Sequence, residues 1–167
     1  RIEAGTYLVA GSLLSRKIII KQVDPRVLKF EIKILKKMGV KITMSKNSIS
    51  ISKPKKLKRI NLTTKPFPGF PTDLQAQFMV LMTQANGVSQ IKENIFENRF
   101  MHVPELKRMG AKIEIKNKTA FIKGPSKLNG AEVMATDLRA SVSLVLAGLI
   151  ANNRTIINRI YHLDRGY

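Results

Sequence analysis

The residues best suited to chemistry in this chain are carboxylates and arginines at corners where one element hands over to the next. Pro66-Phe67-Pro68-Gly69-Phe70-Pro71 leads into Thr72-Asp73-Leu74-Gln75, where the prolines fix an extended approach and Thr72-Asp73 opens an apolar helix. Position alone favours Asp73 as an N-cap. The functional alternative is a carboxylate held at a rigid turn, able to take the proton of a substrate hydroxyl. An ordinary Asp titrates near about 3.9, so that role requires a desolvated pocket or a late proton transfer. Ala135-Thr136-Asp137-Leu138-Arg139-Ala140-Ser141 opens another apolar helix in the same way, with Arg139 in the first turn, where free backbone N–H groups favour an anion. The segment Glu93-Asn94-Ile95-Phe96-Glu97-Asn98-Arg99-Phe100-Met101-His102 sets Arg99 between polar and apolar neighbours, as a guanidinium of fixed direction. Its structural alternative is a salt bridge to Glu93 or Glu97. His162-Leu163-Asp164-Arg165 puts a further arginine at a matching corner.

Asp73 and Asp137 with Arg99, Arg139 and Arg165 suit a substrate that carries both phosphate and carboxylate, because guanidinium forks bind either group. His102 and His162 read as packing or surface residues. The sequence carries no metal cluster, glycine-rich phosphate loop or nucleophile elbow, and no metal or cofactor is expected.

The elements that position these corners repeat. Val27 to Ile42 ends in Lys37-Met38-Gly39-Val40-Lys41-Ile42, and Phe100 to Ile113 ends in Arg108-Met109-Gly110-Ala111-Lys112-Ile113. Each reads as a one-faced helix, a Gly that stops it and an alternating strand. Val27, Phe30, Ile34, Leu35 and Met38 form the first apolar face, continued by Val40, Ile42 and Met44; Val103, Leu106, Met109, Ile113 and Ile115 form the second. Apolar helices precede these at Tyr7 to Leu14, Leu74 to Met82 and Leu138 to Ile150. Short strands follow them at Lys17 to Lys21, Gly87 to Glu93 and Arg154 to Arg159. The fold class is α/β (α+β), in units of helix, strand, helix, strand, strand, with approximate bounds 1–56, 57–125 and 126–167. The repeats are expected to place Asp73 and Asp137 equivalently, and likewise Arg99 and Arg165. The third unit stops before its second helix. It is therefore expected to leave Leu138, Val142, Leu146 and Ile150 partly uncovered and the chain prone to self-association.

With 167 residues and 44% hydrophobic content, the chain can bury a core. It has no cysteine and reads as a cytoplasmic protein. The apolar run Val142 to Ala151 is well short of the roughly 20 residues of a membrane span. A net charge of +19 invites a nucleic-acid reading. Most lysines, however, fall on polar helix faces (Lys29, Lys33, Lys36, Lys37) or alternate out of strands (Lys41, Lys112, Lys116). The dense run Lys53 to Arg59 lacks aromatics to stack on bases, so a nucleic-acid partner is disfavoured.

Phe70 to Phe78 (FPTDLQAQF), Glu97 to Ala111 (ENRFMHVPELKRMGA), Val133 to Ser141 (VMATDLRAS) and Arg159 to Tyr167 (RIYHLDRGY) resemble the UDP-N-acetylglucosamine 1-carboxyvinyltransferases of the enolpyruvyl transferase family. The resemblance covers essentially the whole chain. It implies two domains, each an inside-out α/β barrel of three βαβαββ units, with the active site in the cleft between them. About two and a half units of one domain are then present, and the complementary domain is absent from the chain. It implies transfer of the enolpyruvyl group of phosphoenolpyruvate to the 3-hydroxyl of UDP-N-acetylglucosamine with release of phosphate, the first committed step of peptidoglycan synthesis. Carried over by position, the sugar-binding general base falls on Asp73 beside Thr72, the backbone contact to the uridine nucleotide on Ile95 beside Phe96, and the arginine that closes over phosphoenolpyruvate on Arg165. Asp137, Arg139 and Arg99 match supporting charges of the cleft. The family's proton donor, usually a cysteine, belongs to the other domain, so this chain alone is expected to be inactive. The alternatives are the related transferase acting on shikimate 3-phosphate, a basic nucleic-acid-binding module, or a degenerate fragment without activity.

Overall fold

The computed structural model describes residues 1–14 and 17–165, the side chain of Arg165 excepted. In chain order the elements are α1 (Ile2–Leu14), β1 (Ile18–Lys21), a 3-10 turn (Pro25–Leu28), α2 (Lys29–Lys37), β2 (Lys41–Ser45) and β3 (Ser48–Ser52). Next come β4 (Leu57–Lys58), β5 (Asn61–Thr63), a 3-10 turn (Thr72–Leu74), α3 (Gln75–Thr83), β6 (Ala85–Lys92), α4 (Val103–Arg108), β7 (Lys112–Lys116) and β8 (Thr119–Gly124). The chain continues through β9 (Glu132–Met134), α5 (Leu138–Ile150) and β10 (Ile156–Asn158) to a 3-10 stretch (Ile160–Arg165).

The repetition in sequence is repetition in space. One sheet has the order β1-β3-β2 and the other β4-β6-β8-β7, with β5 also pairing β6, so β1, β3 and β2 stand where β6, β8 and β7 stand in the next unit. The β1–β3 and β2–β3 pairs are antiparallel, as are β6–β8 and β7–β8. The parallel pair β9–β10 takes the place of β5–β6. Helices α1, α3 and α5 pack on one another. This explains their composition: all nine residues of α3 are buried, and a helix enclosed on every side has no polar face to present. Of the α5 face expected to lie partly open, Val142 and Leu146 are buried in this packing, and Leu138 and Ile150 at its two ends are half-buried.

Both repeated helices end in the same hydrogen-bonded stop. Gly39 N–H donates to Lys36 C=O and Val40 N–H to Leu35 C=O; Gly110 N–H donates to Lys107 C=O and Ala111 N–H to Leu106 C=O, the paired bonds of a Schellman motif. Gly39 has φ +94° and Gly110 φ +96°, a region that side chains resist. At Gly110 a Cβ would also stand 3.3 Å from the Lys127 carbonyl oxygen. Gly110→Ala is therefore expected to destabilise the fold by about 1–2 kcal/mol, read as a lower urea midpoint at unchanged m-value.

The phase of α2 differs from the sequence expectation. Val27 and Phe30 are exposed, and Leu28, Ile32, Ile34, Leu35 and Met38 are buried together with Glu31. The charge is tolerated because Arg1 comes to meet it: Nε and Nη2 donate to Glu31 Oε1 at 3.0 and 2.7 Å. The same Nη2 donates to the Gly69 carbonyl at 3.0 Å, and the guanidinium lies 4.9 Å from the centre of the Phe67 ring. Arg1 thus ties α2 to the proline-rich turn ahead of Asp73. Met44 and Ile115, assigned to the core by alternation, lie at exposed hairpin ends. The basic run Lys53 to Arg59, expected to be only a link, contains β4, with Leu57 buried and Lys58 N–H bonded to Met38 C=O.

Candidate active site

Asp73 is presented by a turn fastened on both sides. Lys65 N–H bonds Phe70 C=O and Gly69 N–H bonds Pro66 C=O, which closes the proline turn. Phe70 then inserts edge-on against Phe78 of α3, ring centres 5.0 Å apart, and both rings are fully buried. Leu74 is buried as well, so the 3-10 turn between these anchors turns Asp73 outward. Asp73 makes no N-cap bond. Its Oδ1 instead accepts from Arg99 Nη2 at 3.0 Å and from Arg139 Nε at 3.3 Å. Neither Glu93 nor Glu97 pairs with Arg99; Asp73 does.

Asp137 adopts the role that position suggested for Asp73. In extended backbone (φ −155°, ψ 174°), it caps α5, and its Oδ1 accepts from Arg139 N–H at 2.7 Å and Ala140 N–H at 2.8 Å. The two aspartates are therefore not equivalent: one lies within a 3-10 turn and is free to reach sideways, and the other is turned back onto its own helix. The cap also occupies N–H groups that the sequence reading offered to an anion. What it secures is the start of α5, from which Arg139 extends to Asp73.

Arg99 follows Asn98, whose φ of +54° bends the chain back, a conformation Asn tolerates. The guanidinium lies 4.9 Å from the centre of the exposed Phe96 ring, so Phe96, Arg99, Asp73 and Arg139 form one continuous chain of contacts. A cleft of about 690 Å³ runs alongside, lined by Glu93, Phe96, Arg99 and Phe100 among others. Ile95 is exposed next to Phe96. Arg165 closes the last 3-10 stretch, and its side chain lies outside the described residues, as do Gly166 and Tyr167.

Two buried residues lie beneath this face: Glu93, read in the sequence as a possible partner of Arg99, and His102, read as a packing or surface residue. Glu93 is buried and accepts at Oε1 from Thr64 Oγ1 (2.7 Å), Ile95 N–H (2.8 Å) and Phe96 N–H (3.2 Å), and at Oε2 from Thr72 Oγ1 (2.9 Å). His102 is buried, and its Nε2 has no hydrogen-bond partner among the described residues. Burial pushes its pKa down to about 4; the Asp137 carboxylate pulls it up and the Arg99 guanidinium pushes it further down. The signal for Glu93 was an acid at the very end of a strand and next to an N–H-rich turn, which is visible in sequence only once the turn is known.

A larger groove, about 1020 Å³, lies between α2 and the β2–β3 turn and is lined by Arg26, Lys29, Lys33, Lys36, Lys37 and Lys46. Its one lining carboxylate, Asp24, is spent on Arg26. It contains none of the corner residues, whereas the smaller cleft is lined by Arg99, which pairs with Asp73. No group of three or more His, Asp or Glu side chains able to hold a metal stands among the described residues. No helix among them is long and apolar enough to cross a membrane.

The family model described as EPSP synthase (3-phosphoshikimate 1-carboxyvinyltransferase) matches residues 1–167. The chain belongs to the EPSP synthase family. Within it, the chain is 62% identical over all its 167 residues to the UDP-N-acetylglucosamine 1-carboxyvinyltransferase of Pelagibacter ubique (strain HTCC1062). It is 54% identical over its whole length to the protein of the same name from Actinobacillus pleuropneumoniae serotype 3 (strain JL03). It spans about 40% of the length of each of these relatives. Among solved structures, the enolpyruvyl transferase NikO from Streptomyces tendae superposes with a TM-score of 0.91 at 30% identity, over 99% of this chain and 40% of that one. An EPSP synthase from Acinetobacter baumannii gives a TM-score of 0.72 at 20% identity, over 94% of this chain and 40% of that one, and shares the fold. The repeated α/β architecture is thus that of the EPSP synthase family.

Proposed function

We propose that this chain forms one lobe of an enzyme that moves the enolpyruvyl group of phosphoenolpyruvate onto the 3-hydroxyl of UDP-N-acetylglucosamine and releases phosphate, in peptidoglycan synthesis. The observation that carries the reading is the cluster in which one carboxylate, Asp73, is held between two arginines beside the Ile95–Phe96 turn. Relatives at 52–62% identity bear the sugar-nucleotide name, and the solved EPSP synthase structures lie at 19–20%, which supports the sugar nucleotide over shikimate 3-phosphate. The repeat bounds 1–56, 57–125 and 126–167 and a single partial domain belong to the same proposal, as does a cytoplasmic location.

In this mechanism both ion pairs use Asp73 Oδ1, which leaves Oδ2 for the sugar hydroxyl. Arg99 and Arg139 exchange Asp73 for the phosphate and carboxylate of phosphoenolpyruvate, with Arg165 closing on the same substrate. The hydroxyl oxygen adds to C2 while C3 takes a proton from a group in the complementary lobe, and the hydroxyl proton passes to Asp73. Proton transfer is late, because the hydroxyl acidifies only as its oxygen bonds to carbon; this suits a weak carboxylate base. The C2–O bond to phosphate then breaks as a C3 proton returns to the donor group in the complementary lobe and the proton held by Asp73 leaves with the phosphate, whose charge the arginines balance. Asp137 serves by fixing the start of α5, Ile95 offers backbone to the uridine nucleotide, and Phe96 and Thr72 shape the wall. Closure of the two lobes excludes water.

The test is phosphate release by the full-length protein carrying this chain. Release from phosphoenolpyruvate is expected with UDP-N-acetylglucosamine and not with shikimate 3-phosphate, and none is expected from the 167-residue chain alone. Release with shikimate 3-phosphate in its place would overturn the assignment.

A further inference from the structure

Among the described residues, Glu93 is met by hydrogen-bond donors and by no ion-pair partner. It is 2% exposed, and the four groups that meet its carboxylate are two hydroxyls and two backbone N–H groups. Three of the donors share Oε1 and one meets Oε2, and among the described residues these donors, with no ion pair, offset the cost of burying the charge. The donors come from separate pieces of the site. Thr64 ends the approach of β5, Thr72 immediately precedes Asp73, and Ile95 and Phe96 form the exposed turn next to Arg99. Thr64 Oγ1 in turn accepts from Asn94 N–H at 2.8 Å, and Glu93 N–H donates to Lys118 C=O at 2.8 Å, so the hub is itself held in place.

From this geometry we propose that Glu93 is a positioning residue that sets the distance between the sugar-nucleotide wall, Ile95–Phe96, and the carboxylate of Asp73. The inference rests on the transferase reading above. Oε1 turns the Ile95 and Phe96 N–H groups inward, which sends both side chains outward to the surface a nucleotide would meet. Oε2 holds the Thr72 hydroxyl and, through one peptide, the position of Asp73. Thr72 then has no hydroxyl hydrogen to offer a ligand, and its contribution to binding is indirect.

The two oxygens differ in what they require, and this supplies the test. Oε1 faces two backbone N–H groups that can only donate, whereas Oε2 faces a hydroxyl that can turn and accept. Glu93→Gln can keep its carbonyl at the first position and donate its amide to Thr72, so it is expected to keep kcat and both KM values within about threefold. Glu93→Leu leaves the N–H groups of Ile95 and Phe96 without the acceptor that turns them inward. It is expected to raise KM for UDP-N-acetylglucosamine at least tenfold, with KM for phosphoenolpyruvate changed less than threefold. Thr72→Val removes only the Oε2 link and is expected to lower kcat about tenfold with the sugar-nucleotide KM retained. A Glu93→Leu enzyme that melts normally with both KM values unchanged overturns the proposal, as does a Glu93→Gln enzyme as impaired as Glu93→Leu. If Glu93→Leu does not fold, Thr72→Val decides: unchanged kcat, or a raised sugar-nucleotide KM, overturns it. A parent enzyme that releases no phosphate would sink the transferase reading instead, so the two failures are distinct.

Discussion

On the proposed transferase reading, Asp73→Asn in the full-length protein carrying this chain is expected to lower kcat by about a hundred- to ten-thousandfold, the usual worth of a positioned general base. That range corresponds to about 3–5 kcal/mol in the barrier. The amide keeps the shape of the turn, because Asp73 contributes no cap bond and the turn is anchored by Phe70 and Leu74. Stability should change little: the Asp73 side chain is 40% exposed, and ion pairs at such positions are worth about 0–1 kcal/mol each. The arginines make the result diagnostic. With the carboxylate gone, Arg99 and Arg139 have no competing anion, so KM for phosphoenolpyruvate should hold steady or fall while kcat collapses. Steady-state kinetics in both substrates check this. A kcat within tenfold of the parent would remove Asp73 from the chemistry, and a large rise in the phosphoenolpyruvate KM would show that its main role is to hold the arginines.

The fold was legible wherever local chemistry and long-range packing agree. Gly39 and Gly110 announce helix ends because few other residues accept a φ near +95°, and the structure closes both with the same pair of bonds. The phase of α2 was not legible. Val27 and Phe30 satisfy helical spacing as well as Leu28 and Ile32 do, and the choice is made by Arg1, far away in sequence, which neutralises Glu31 and lets that face turn inward. The corners behaved similarly. Position could name Asp73 and Asp137 but could not divide their duties, since Thr-Asp-Leu fits a capped helix and a 3-10 entry equally. The preceding prolines and the burial of Phe70 decide it. Glu93 was read only as a possible partner of Arg99, because two of its donors are backbone groups, which leave no trace in residue type, and the other two, Thr64 and Thr72, are distant in sequence.

Acid should expose the one buried imidazole of the site. His102 titrates at about 4 in the folded chain, chiefly through burial, against about 6.5 when unfolded. Above about pH 6.5 both states are neutral and its contribution is fully present. As the pH falls from there towards 4, the unfolded chain takes up a proton that the folded chain refuses, and stability is lost. Over that window the loss amounts to about 3 kcal/mol, a large share of the roughly 5–15 kcal/mol that holds a domain together. His102→Leu should abolish this component. At pH 7 the variant is expected to be as stable as the parent or more so, since it removes a buried Nε2 that has no hydrogen-bond partner among the described residues. At pH 4.5 it should exceed the parent by about 2–3 kcal/mol in urea unfolding, with the carboxylates common to both chains cancelling in the comparison. The Asp137 carboxylate raises and the Arg99 guanidinium lowers the imidazole's pKa, both less than burial does. Equal acid losses in parent and variant would show that the imidazole is protonated in the folded chain and that water reaches it.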